Sequence, residues 1–262
     1  MYRSFFIVLI LYIPFFCQCV VYKPFLQFKK EKRIVLLTFD DGPNNHKNTT
    51  RMVLEVLRKH RVKALFNVIG KNVEQYPEII REIHSDNHIL ANHGYTVLPV
   101  LFQTRKKIVT EVDSSTYALR MALKDTLFKP LYFRPSMGWY NRRTVQIIRN
   151  RKMIMNGLTI YAIDTKKSTD DTEKIIKKIV KKAERYNGGI VVLHDGIAEY
   201  DWLERRLKKG WKNYDRSFIP VVTDSVITIL KRKGFIFPAI NDDCPHELGD
   251  EEREFFKDIL YY

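Results

Sequence analysis

The segment Ile34-Val35-Leu36-Leu37-Thr38-Phe39-Asp40-Asp41-Gly42-Pro43 runs from unbroken apolar residues into two adjacent carboxylates and then a chain-breaking Gly-Pro pair. An apolar run without alternation predicts a buried strand. Gly42-Pro43 predicts a turn at its end. Two ionised carboxylates side by side repel, so such a pair persists where a cation or a shared proton offsets the repulsion. An Asp-Asp-Gly-Pro surface turn is the alternative reading of the same residues.

The remainder of the chain decides between these readings. Helix-spaced Met52, Val53, Val56 and Leu57 follow the capping candidates Asn48-Thr49-Thr50, and Lys63 to Gly70 reads as a second buried strand. Helical patterns at 77–84, 104–123, 141–150, 170–180 and 223–233 alternate with strand-like segments at 88–93, 131–133, 157–163, 188–195 and 235–237. Apolar strands alternating with amphipathic helices predict a parallel sheet or barrel covered by helices. Chemistry in such folds collects at the carboxyl ends of the strands. Asp40-Asp41, His93, Arg134, Asp164 and His194 each stand at such an end, which favours a shared site over a surface turn.

No internal repeat or low-complexity linker divides the 262 residues. The formal charge of +15 is spread over almost every expected helix, as at Lys174, Lys177, Lys178, Lys181 and Lys182. No nucleic-acid motif or aromatic-interleaved basic stripe accompanies it, so a solvated face is expected and nucleic acid is not an expected partner. Arg3 followed by an uncharged apolar stretch from Phe5 and by Cys17-Gln18-Cys19 reads as a signal peptide over residues 1–19. An uncleaved signal anchor, with membrane attachment, is the competing reading, because the uncharged stretch reaches Tyr22. Either places the domain outside the cytosol, secreted or associated with a cell wall. Of three cysteines only Cys244 lies clear of that segment, so no disulfide framework is implied, although a Cys19–Cys244 bridge is open if Cys19 is retained. The segment Glu199 to Arg216, with Trp202 and Trp211, reads as a surface insertion, and residues 241–262 as an acidic tail.

Thr38 to Pro43, His88 to His93, Phe133-Arg134-Pro135-Ser136-Met137-Gly138 and Val192-Leu193-His194-Asp195 together resemble, in order and spacing, motifs of the polysaccharide deacetylases. These carry the NodB homology domain of carbohydrate esterase family 4 and include chitin deacetylases. The resemblance covers about residues 33–240 and implies a distorted (β/α) barrel of about seven strands. It implies a divalent metal, usually zinc, and an N-acetylglucosamine-containing polysaccharide, chitin or peptidoglycan, as substrate of a monomeric N-deacetylase. Carried over, Asp40 is the general base, Asp41 and His93 are metal ligands, Arg134 grips Asp40, the Met137 backbone N–H helps form an oxyanion hole, and His194 is the general acid. Trp139, Tyr140 and Trp202 are candidates for a sugar-stacking surface.

The sequence departs from the pattern twice. Val97 stands where the resemblance implies the second metal histidine, and valine cannot ligate. None of His46, His60, His84 or His88 occupies that position; His60 and His84 read as helix-surface residues. A catalytic zinc site ordinarily has three protein ligands, so a weak or absent metal is expected. Lys167-Ser168 replace an aspartate-tryptophan pair, although Asp164 remains. A cation in place of the acid's anionic partner would lower the His194 pKa. A non-catalytic relative that binds glycan through the same groove is therefore the alternative.

Overall fold

The structure is a computed structural model that describes residues 33–44, 46–97, 99–196 and 215–238. Segment 1–19, Trp202, Trp211, Cys244 and the tail 241–262 lie outside these residues.

Seven parallel strands form one curled sheet in the order β5-β4-β3-β2-β1-β7-β6. The strands are β1 (Ile34–Gly42), β2 (Ala64–Val68), β3 (Ile89–Asn92), β4 (Tyr132–Phe133), β5 (Ile154–Met155), β6 (Ile160–Tyr161) and β7 (Gly188–His194). Helices α1 (Thr49–His60), α2 (Gly70–Gln75), α3 (Pro77–Ser85), α4 (Arg105–Leu123), α5 (Arg142–Asn150), α6 (Thr172–Tyr186) and α7 (Ile219–Arg232) connect and cover them. The (β/α) half-barrel is the expected fold, with β1 an interior strand between β2 and β7.

Alternation along each strand divides the core. Val35, Leu37, Phe39, Ala64, Phe66 and Val191 pack outward among helix residues such as Leu54, Leu57, Ile179 and Val226. Ile34, Leu36, Leu65, Ile89, Ala91, Tyr132 and Ile190 pack together on the inner face. Continued by twos toward the carboxyl ends, the inner positions become Thr38 and Asp40, Asn67, His93, Arg134 and His194. The barrel interior is thus apolar at one end and polar at the mouth.

Three expectations change. Phe235–Phe237 supplies only a bridge between Ile34 and Ile236, and the seventh strand is instead Ile154–Met155. Gly70 opens helix α2 rather than closing a strand. Asn48 adopts a left-handed conformation and makes no side-chain cap; the Thr50 hydroxyl is committed to Asp195, at 2.6 Å.

Candidate active site

Asp40 and Asp41 are consecutive, so a regular strand would send their side chains to opposite faces. The chain avoids this with a bulge. Register with β2 slips between Asp40 and Gly42, and Asp41 takes a left-handed φ of 67°. Both carboxylates consequently face one imidazole: His93 Nε2 lies 3.4 Å from Asp41 Oδ1 and 3.9 Å from Asp40 Oδ2. The bulge is wedged against β7, because a Cβ on Gly42 would stand 2.7 Å from Asp195 Oδ2 and one on Gly196 1.9 Å from the Asp41 carbonyl oxygen. At Gly196 the obstacle is backbone and only glycine fits; at Gly42 the Asp195 carboxylate would have to move.

Asp40 is almost fully buried. Its Oδ1 accepts from Arg134 Nη1 at 2.7 Å and from Asn67 Nδ2 at 2.7 Å. Arg134 holds Asp40 through one nitrogen: Nη1 is shared with the Thr38 hydroxyl at 2.8 Å, and Nη2 donates to the Gly157 carbonyl at 2.7 Å. Burial alone would raise the Asp40 pKa, but Arg134, His93 and His194, with the Asn67 hydrogen bond, outweigh it and hold the carboxyl below its ordinary value. Asp40 is a carboxylate at neutral pH.

His93 follows β3 and is fixed from behind. Its Nδ1 donates to the Arg134 carbonyl at 2.8 Å, which leaves Nε2 as the nitrogen facing Asp41. The loop after it is clamped by buried Glu111, whose Oε2 accepts from the Tyr95 and Thr96 amides at 3.1 and 2.6 Å and from the Thr96 hydroxyl at 2.9 Å. The amides of Gly70 and Lys71 at the start of α2 bond the Gly94 and Tyr95 carbonyls, and Asn72 Nδ2 holds the Asp41 carbonyl at 2.8 Å. Helix α2 therefore ties the two candidate ligand loops together.

His194 closes the site from β7. Its Nδ1 lies 3.0 Å from Asp164 Oδ1, and its backbone N–H donates to Asp164 Oδ2 at 2.7 Å. Nε2 is the nitrogen left to face a substrate. Burial works against the imidazolium, but Asp164, with Asp41 and Asp40 behind it, pushes the His194 pKa up to about 9. This reverses the expected effect of Lys167, whose ammonium lies 3.5 Å from Asp171. Asp164 itself is the anionic partner, so the position occupied by lysine does not have to supply one. Buried Arg216, expected on a surface insertion, donates to the Asp164 carbonyl at 3.2 Å and to the Gly196 carbonyl at 3.3 Å, joining the two turns that bear the pair.

Met137 and Trp139 are exposed at the turn after β4, and Ile163 is exposed at the turn after β6. Met137 and Ile163 both hold left-handed backbone, with φ of 62° and 64°. Tyr161 places its ring 5.8 Å from that of His194. His60, expected on the surface, is largely covered and bonds Asp224 at 2.7 Å. His88 is buried, accepts from the Ala64 amide through Nδ1, and is pushed down to about 3 by burial and by Lys63 and Arg58. It has no ligand role.

The donor set for a metal stops short. Asp41 and the Nε2 of His93 form a two-donor pair, but Val97 is buried at the position where a third donor is implied. Among the described residues no group of three or more His, Cys, Asp or Glu side chains is placed to hold a metal ion. The residues do not fit a three-ligand zinc site.

The residues missed by sequence reading are Asn67, Asn156, Glu111, Thr50 and Arg216. For Asn67 a signal existed: it is the one polar residue within Ala64-Leu65-Phe66-Asn67-Val68.

Residues 28–155 match the polysaccharide deacetylase family. The chain is similar to a chitooligosaccharide deacetylase of a Bradyrhizobium species, at 32% identity over 63% of this chain and 71% of that protein. It is also similar to a peptidoglycan-N-acetylglucosamine deacetylase of Bacillus cereus, at 24% identity over 80% of this chain and 88% of that protein. Its fold matches the crystal structure of a Bacillus anthracis pseudoenzyme of carbohydrate esterase family 4, with a TM-score of 0.64 at 23% identity, covering 79% of this chain and 63% of that one. The chain thus spans less than two thirds of that structure. Relatives named as deacetylases are hydrolases of the N-acetyl amide bond. The match across 28–155, together with the similarity to the Bradyrhizobium protein, makes this chain a member of the polysaccharide deacetylase family.

Proposed function

We propose that this protein is an exported N-deacetylase that hydrolyses the acetamide of N-acetylglucosamine units in a chitin- or peptidoglycan-type glycan. One observation carries the reading: Asp40 is held below its ordinary pKa while His194, in register with it on the neighbouring strand, is pushed up to about 9, so at neutral pH the site holds a carboxylate base beside an imidazolium acid. Asp40 Oδ2 takes a proton from water as its oxygen attacks the acetamide carbon. His194 Nε2 then donates a proton to the amide nitrogen as the C–N bond breaks, giving acetate and an amino sugar. The Met137 N–H is assigned to the oxyanion, and Trp139 to the sugar face. Enzymes of this family are metal-dependent. Because the donors present do not make a three-ligand site, no step here is assigned to a metal.

A second reading, a glycan-binding protein without turnover, is favoured by Val97 at the third-ligand position. Acetate release from chitin oligomers and from peptidoglycan, compared between wild type and Asp40→Asn, separates the two. Release abolished by the substitution supports the enzyme. Retained glycan binding without release, with or without added zinc, overturns it in favour of binding alone. Export is tested by locating the protein in culture medium, wall and membrane fractions of its host.

A further inference from the structure

The two oxygens of Asp40 are treated unequally. Oδ1 receives both strong donors, Arg134 Nη1 and Asn67 Nδ2, each at 2.7 Å, whereas Oδ2 faces His93 Nε2 at 3.9 Å. Asn67 is in register with Asp40 across β1 and β2, so both side chains point into the barrel. It is fully buried.

A primary amide can point either end at a neighbour, and hydrogen bonds decide which. Here Asn156 Nδ2 donates to Asn67 Oδ1 at 2.8 Å, which occupies the oxygen end and turns the NH2 end toward Asp40. Asn156 is itself buried just beyond β5, and its backbone N–H donates to the Phe133 carbonyl at 2.9 Å. The relay runs Asn156 to Asn67 to Asp40, across strands that are far apart in sequence. Both amides are neutral, so they orient the carboxylate without adding to the charge that Arg134 supplies.

Arg134 alone contacts Asp40 through a single nitrogen, and carboxylate torsion about its last bond is soft. A second donor reaching the same oxygen from another strand removes that rotation. We propose that Asn67, oriented by Asn156, is a positioning residue that presents Asp40 Oδ2 as the oxygen receiving the water proton. The catalytic part of this inference rests on the deacetylase function proposed above; the orientation of the amide does not.

Two measurements on the full chain test it. In nitrogen-15 spectra, the Asn67 side-chain amide resonances should shift in both Asp40→Asn and Asn156→Leu. Resonances indifferent to both substitutions would overturn the relay whether or not the protein turns over substrate. In acetate release from a chitin oligomer, Asn67→Ala should lower kcat by about a hundredfold, the scale of a small misplacement of a reacting group, with KM changed less than about twofold. Asn156→Leu should lower kcat about tenfold and add nothing in the Asn67→Ala background. A folded Asn67→Ala with wild-type kcat, or additive effects of the two substitutions, overturns the proposal. Wild type without acetate release on any glycan would count against the deacetylase function, and the amide resonances then decide the orientation alone.

Discussion

His194 Nδ1 sits 3.0 Å from Asp164 Oδ1 while the same residue's backbone amide donates to Asp164 Oδ2 at 2.7 Å, so one carboxylate fixes both the ring and the strand that carries it. Removing that charge leaves burial as the dominant influence on His194. In Asp164→Asn the imidazole should titrate well below the wild-type value of about 9, and the basic limb of kcat/KM should move to lower pH with it. The linkage has a definite sign: a folded pKa raised above 6.5 stabilises fully below 6.5, and the contribution is lost as pH rises through about 9. Proton NMR of the ring and urea unfolding between those pH values check both statements.

Asp195 carries the same sign from a different cause. Burial raises its carboxyl to about 7, against the Thr50 hydrogen bond. The folded protein therefore holds a proton that the unfolded chain releases near 3.8, and this residue's contribution to stability falls as pH rises from 3.8 to about 7. Asp195→Asn should flatten that decline and be more stable than wild type above pH 7, as read from thermal unfolding across the range.

Val97→His supplies an imidazole at the position where the family resemblance implies the third ligand. Zinc affinity should rise at least about tenfold, or about 1.4 kcal/mol, in competition titrations with a chromophoric chelator. Affinity equal to wild type would mean that the loop cannot bring the new ring to the pair.

Glu111 accepts three hydrogen bonds through one oxygen while Lys107 approaches the other at 3.0 Å. Glu111→Ala strands the Tyr95 and Thr96 amides, which should cost about 3 kcal/mol of stability in urea unfolding. Glu111→Gln, which keeps an acceptor, should lose less.

Ile163 is β-branched, exposed and left-handed at φ 64°, an arrangement costing roughly 1–2 kcal/mol. Ile163→Gly relieves it and gives back part of the gain through the freer unfolded chain, so a net stabilisation of up to about 1 kcal/mol is expected from thermal melts.

The strand-end residues Asp40, Asp41, His93, Arg134 and His194 were legible because strand alternation and the carboxyl-end rule act locally, on adjacent letters. The same locality explains what was not. Asn67, Asn156 and the Thr50–Asp195 bond act over 27 to 145 residues of chain, and no periodicity announces a partner at that distance. Ile154–Met155 is too short an edge strand for any alternating pattern. The effect of Lys167 was misjudged because spacing indicates which position should hold an anion, whereas only the folded turn shows that Asp164 already reaches the imidazole.

The bulge at Asp41 has a further consequence for what the groove can accept. Its two carboxylates are separated by a single peptide unit whose backbone is packed against Gly196, so this part of the site is rigid. One wall is thus an anvil. Adaptability at the strand ends is left to the turns after β4 and β6, where Met137 and Ile163 stand open to solvent, so variation should collect there while β1 stays fixed.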